Sequence, residues 1–170
     1  MLDACGPRVG SQDEVVGGGA AWRVQNVPVP EPYLLGIAAG AWLQRLRPWR
    51  LPGPRSLNRV VGSSLVAAGT YLVARSMHAA GQVDLDRPDE LVTSGPYAVS
   101  RNPMYLGWAL LHLGAGVAAC SSWILVAFPV GAAWVHRQIL REERELGERF
   151  PAEYGRYCGE VPRYLPSRRP

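Results

Sequence analysis

The sequence predicts an all-α fold, an integral-membrane helical bundle of about four transmembrane helices. Three observations carry that expectation. From position 102 to 136, 35 consecutive residues lack Asp, Glu, Lys and Arg, too many for one helix across a ~30 Å hydrocarbon core. A second charge-free run, 60–74, lies inside a helical stretch at 58–77. There is no βαβ pattern and no glycine fingerprint between a strand and a helix, so a nucleotide-binding sheet is not expected.

The chain has 170 residues, enough for one domain. The expected division is a flexible tail at 1–30, a membrane domain at 31–166 and a short tail at 167–170. All 18 basic residues are Arg, against 14 acidic ones. They flank apolar runs rather than forming one block, which suits a membrane surface and argues against nucleic acid. Cys5, Cys120 and Cys158 have neither metal-ligand nor redox spacing. The first 27 residues show no signal-peptide pattern.

The Pro-rich segment 28–32 leads into a first helix at 33–46, with 13 uncharged residues between Glu31 and Arg45. That is short of the roughly 20 residues a span needs, so a full crossing and an interfacial helix are both open. Three prolines and three arginines make 47–57 a loop. The second helix, 58–77, carries Gly62, Ser63, Ser64, Ala67, Ala68 and Gly69, small residues that permit close helix packing in lipid. Asp84 and Asp86 sit in a polar segment without a complete oxygen-ligand loop, and a solvated acidic loop is expected there.

Thr93-Ser94-Gly95-Pro96 reads as a turn. Arg101-Asn102-Pro103 reads as a helix start, with Asn102 as N-cap and Pro103 at the first helical position. A helix N-terminus beside a guanidinium suits a carboxylate or phosphate. The charge-free run folds into a hairpin turning at 118–122, with Pro129 bending its second arm. His112, deep in the third helix, is either a site or a neutral imidazole bonded across helices. The helix continues beyond His136 and breaks near Pro151. The Pro-fixed segment 161–166 is positioned to fold back over the site.

Four crossings put the 79–101 segment and the C-terminal helix at one end, where Arg101 can meet Glu142-Glu143. A helix start plus Arg would take an anion, and carboxylates a cation. Thirteen arginines lie outside the 45–59 segment and five within it, which assigns the site's end to the cytoplasm.

The strings LVTSGPYAVSRNPMYLG and REERELGERFPAEYGRYCGEVPRYLP, with the hairpin between them, closely resemble the isoprenylcysteine carboxyl methyltransferase family. These enzymes and the related phospholipid N-methyltransferases are integral-membrane proteins that use S-adenosylmethionine. The resemblance covers about 58–166 and implies a cofactor site of Gly95, Pro96, Tyr97, Arg101, Asn102, Pro103, Tyr105, Gly107, Glu142 and Glu143. His136, shortly before the doublet, is a further cofactor candidate. Arg101 and Arg163 are the candidates to hold an acceptor carboxylate in catalysis. Asn102 stands where the eukaryotic carboxyl methyltransferases have His. Asn keeps donor and acceptor capacity but does not titrate near neutrality.

The implied function is methyl transfer from S-adenosylmethionine to a lipid or lipophilic small molecule in a bacterial inner membrane. The alternatives are a phospholipid N-methyltransferase and a non-catalytic membrane scaffold.

Overall fold

A computed structural model of the chain describes residues 30–81 and 90–165. Within them the protein is all-helical, with five α-helices and one short 3-10 turn. The helices are α1 (Glu31–Leu46), α2 (Arg55–Ala80), α3 (Pro103–Ala118), α4 (Ser122–Arg149) and α5 (Pro151–Glu160), with the 3-10 turn at Gly95–Ala98. Asp84 and Asp86 lie outside the described residues.

Helix α2 starts three residues earlier than the sequence suggests. Pro54, extended at ψ 128°, ends the loop, and nothing in Arg55-Ser56-Leu57 opposes helix. Helix α4 runs unbroken through Pro129. It stops at Phe150, whose φ of −128° and ψ of 61° leave helical space, and Pro151 then opens α5. The α3–α4 turn is residues 119–121. Cys120 adopts a left-handed φ of 50°, and the Ser121 hydroxyl caps α4 by accepting from the Ile124 N–H.

Helix α3 packs on α2 through small residues. A Cβ placed on Gly62 would lie 2.3 Å from the Ala118 nitrogen, and one on Gly107 would lie 2.7 Å from Val73 Cγ2. The backbones therefore approach within a distance that a methyl group would prevent. Helix α1 packs on α4, where Gly40 meets the Ile124 backbone. His112 is fully buried among these helices. Its Nε2 donates to the Ile124 carbonyl at 2.9 Å, and Tyr33 and Phe128 contact its ring edge-on. It bonds across helices, from α3 to the backbone of α4.

The two loops at the far end are joined by backbone bonds. The Leu51 N–H donates to the Cys120 carbonyl at 3.0 Å, and the Ser122 N–H to that of Trp49 at 3.0 Å. The α1–α2 loop and the α3–α4 turn thus share one end, as the hairpin topology requires. The start of α3 and the late turns of α4 fall at the other. Among the described residues two helices, α2 and α4, are long and apolar enough to cross a membrane.

Candidate active site

The site begins with the turn before α3. Gly95 has φ 61°, a left-handed conformation that glycine adopts without strain. The chain then tightens into the 3-10 turn and buries Tyr97. The Tyr157 hydroxyl of α5 donates to the Tyr97 carbonyl at 2.6 Å, so α5 fixes the turn from the other side.

Arg101 and Asn102 follow directly. Asn102 occupies the N-cap position of α3, and its carbonyl accepts the first helical bond from Leu106 at 3.2 Å. Its side chain does not cap the helix. The amide instead donates to Glu143 Oε1 and to the Arg163 carbonyl, both at 3.2 Å.

Glu143 is the hub. Arg101 reaches it with Nη2 at 3.2 Å and Nε at 3.3 Å. Arg163 grips its other oxygen through Nη2 at 2.8 Å and Nε at 2.9 Å. The Glu143 side chain is 11% exposed, so its charge needs this compensation. The hydrogen bond to Glu143 is also the main reason the Arg163 guanidinium holds its proton more firmly than usual. One carboxylate between two guanidiniums leaves a net positive charge. The sequence assigned both carboxylates of the doublet to a cation, yet Glu143 is already committed to arginine. Glu142 turns toward the helix start, accepting from the Tyr105 hydroxyl at 2.5 Å and from Gln138 at 3.2 Å.

The C-terminal segment does fold back over this end. The Pro162 carbonyl accepts from the Arg101 N–H at 2.9 Å, and that of Arg163 from the Ser100 hydroxyl at 3.2 Å. Pro166 lies outside the described residues.

A cavity of about 660 Å³ opens beside the hub, within the roughly 300–1,000 Å³ common for small-molecule sites. Its wall holds Tyr97, Arg101, Asn102, Pro103, Tyr105, Glu142 and Glu143 of the predicted residues. Glu90, Leu91, Val92, Met104, Glu145, Leu146, Glu148, Arg149, Tyr154 and Tyr157 complete it. Five carboxylates against two guanidiniums make the wall electronegative. Burial, then the nearby Glu142, pushes the Tyr97 phenol up to about 12. Burial is likewise the main cause raising Tyr154 and Tyr157. All three phenols keep their protons at neutral pH.

The other predicted residues stand behind the wall. Gly95 and Pro96 shape the turn, Gly107 faces α2, and His136 shares a 2.5 Å hydrogen bond with the Tyr164 hydroxyl. Arg163 braces Glu143 from outside the lining. Sequence reading missed Tyr154 and Tyr157. Their i, i+3 spacing on a helix opened by Pro151 was the available signal.

A model of the phospholipid methyltransferase family matches residues 57–153. That is more than half of the chain, and it contains both Arg101 and Glu143. The chain belongs to this family. It is also similar to protein-S-isoprenylcysteine O-methyltransferase of Xenopus laevis, with 34% identity over 116 residues. The human protein of the same name is 33% identical over 116 residues. Each alignment covers 63% of this chain and 40% of the relative. The cobalt-zinc-cadmium resistance protein CzcN of Cupriavidus metallidurans is 30% identical over 108 residues, 63% of this chain and 47% of the relative. The chain therefore spans less than half the length of these relatives. The resemblance to isoprenylcysteine carboxyl methyltransferases and their phospholipid-modifying relatives is borne out.

Proposed function

We propose that the protein is an integral-membrane methyltransferase that moves the methyl group of S-adenosylmethionine to a lipophilic acceptor. The observation that carries this reading is the Arg101–Glu143–Arg163 cluster bordering a carboxylate-rich cavity of about 660 Å³. The donor set fits the cofactor. Arg101 suits a carboxylate, the Glu142 carboxylate an ammonium or sulfonium, and the rings of Tyr97, Tyr105 and Tyr157 flat or cationic groups. When bound, the cofactor supplies a methyl group already activated on a positive sulfur.

What remains for the chain is alignment and exclusion of water. Glu143 holds Arg101 in one orientation. Tyr105 and Gln138 orient Glu142. The 161–165 segment covers this end of the bundle. An acceptor carboxylate needs no base, whereas an amine or thiol must lose a proton. Asn102 does not take that proton, because an amide is not basic.

A bilayer placement is supported by α2 and α4, whose apolar windows are only 17% and 22% buried within the molecule. A soluble core helix would be mostly buried. Trp42, Val60, Val130 and Trp134 expose large apolar surfaces. In this reading all four helices α1 to α4 cross. The helices α1 and α3, of 16 residues each, reach ~24 Å and cross where the bilayer thins. The arginine distribution supports a cytoplasmic face for the site.

The test is transfer of labelled methyl from S-adenosylmethionine into a lipid extract, followed by identification of the product. A labelled lipophilic ester or thioether supports the reading. A methylated phospholipid headgroup points to the phospholipid N-methyltransferase alternative. No transfer by an intact, folded protein points to a non-catalytic scaffold.

A further inference from the structure

The opposite end of the bundle carries a second cavity, of about 390 Å³, lined by Gln44, Arg50, Arg55, Arg59, Ala118, Ala119 and Cys120. We propose that this cavity binds the headgroup phosphate of an anionic phospholipid in the outer leaflet. The proposal rests on the bilayer reading above.

Arg50, Arg55 and Arg59 line it, and among the described residues no carboxylate does. The sequence has no Asp or Glu from 32 to 83 or from 91 to 141, which covers both loops at this end. Among the described residues, no ion pair involves Arg50, Arg55 or Arg59. Arg55 and Arg59 are four apart on α2, a like-charge spacing that is unfavourable until an anion sits between them. The carbonyls of Ala115, Gly116 and Val117, near the end of α3, accept from the N–H groups of Ala119, Ser121 and Cys120 at 2.9–3.0 Å.

The cavity is also held in shape. The Ser121 hydroxyl and the Trp49 N–H both donate to Gln44 Oε1, at 3.1 and 3.2 Å. The Trp123 indole donates to the Arg47 carbonyl at 2.8 Å and meets the Trp49 ring edge-on. Paired tryptophans mark headgroup depth in a bilayer. With no carboxylate to receive a choline or ethanolamine cation, the cavity selects an anionic lipid over a zwitterionic one. Helix α3 separates it from Asn102 by ~24 Å at 1.5 Å per residue.

The test uses the full chain in neutral detergent, with native mass spectrometry counting bound dihexanoylphosphatidylglycerol, dihexanoylphosphatidylcholine and inorganic phosphate. Saturable binding of the glycerol lipid at least tenfold tighter than the choline lipid is expected. The triple variant R50Q/R55Q/R59Q should weaken it at least tenfold while leaving S-adenosylhomocysteine binding at the other end unchanged. Should the triple variant fail to fold, Arg50→Gln alone, in a loop, is expected to weaken it about threefold. Equal binding of both lipids, equal competition by free phosphate, or unchanged affinity in the variants would overturn the proposal. Extraction only by detergent, with no preference for the anionic lipid, sinks this proposal alone. Release from membranes without detergent sinks the bilayer reading, and this proposal with it.

Discussion

Arg101 and Glu143, 42 positions apart, meet at 3.2 Å. Residue 101 lies just before α3 and residue 143 lies late in α4, so this contact closes the hairpin at its polar end. The same carboxylate holds Arg163 at 2.8 Å. One side chain thereby ties the helix start, the late turns of α4 and the C-terminal segment together.

That arrangement predicts strong coupling. A double-mutant cycle between Arg101→Ala and Glu143→Ala should return an interaction of about 1–3 kcal/mol in unfolding measurements. Glu143→Ala should be the more damaging single change, because it strands Arg101 and Arg163 together. Both variants should still insert into membranes and extract normally. A coupling near zero would mean the pair is incidental.

Asn102 separates geometry from charge. Asn102→Ala removes one donor to Glu143 and one to the Arg163 carbonyl. Asn102→Asp puts an oxygen anion where an amide now lies 3.2 Å from Glu143 Oε1. The Asp variant should therefore lower the thermal midpoint more than the Ala variant, despite its closer shape. The reverse order would remove Asn102 from the hub.

The glycines of α2 and α3 should behave as packing residues. Gly62→Ala brings a methyl within 2.3 Å of the Ala118 backbone, and a destabilisation of about 1–3 kcal/mol is expected. Gly107→Ala should act in the same way, lowering the melting temperature while S-adenosylhomocysteine affinity in the folded fraction holds. A selective loss of affinity would instead give Gly107 a role at the cofactor.

The tyrosines set an alkaline limit. The Tyr97 phenol ordinarily titrates near 10 and here is pushed up to about 12. The unfolded chain loses that proton first, so stability is intact below pH 10 and falls as pH rises toward 12. Melting in detergent from pH 8 to 12 should show this decline, and Tyr97→Phe should make it shallower. An unchanged slope would exclude Tyr97 as a contributor.

Much of this was readable from residue order. The 35-residue charge-free run is too long for one crossing, which forces a hairpin and brings Arg101 toward the Glu doublet. Val135 and Ile139 are buried on α4, and four residues on, the same face presents Glu143. Which guanidinium each carboxylate takes was not readable, since it depends on how the 161–165 segment returns. Asn102 shows the same limit. Its position before Pro103 signals an N-cap, but a buried carboxylate nearby claims its amide. Gly107 sits in a site-like string, yet its lack of a side chain serves contact with Val73 and Gly69. The start of α2 was misplaced because a run of prolines and arginines reads as loop until the last proline has passed.

The most direct measurement is isothermal titration of S-adenosylhomocysteine into the purified full chain, beside the Arg101→Ala variant. Saturable one-site binding to the unaltered protein, abolished in a variant that remains folded, is the expected result. No binding to the intact protein, or equal binding to both, would contradict a cofactor site at the Arg101–Glu143 cluster.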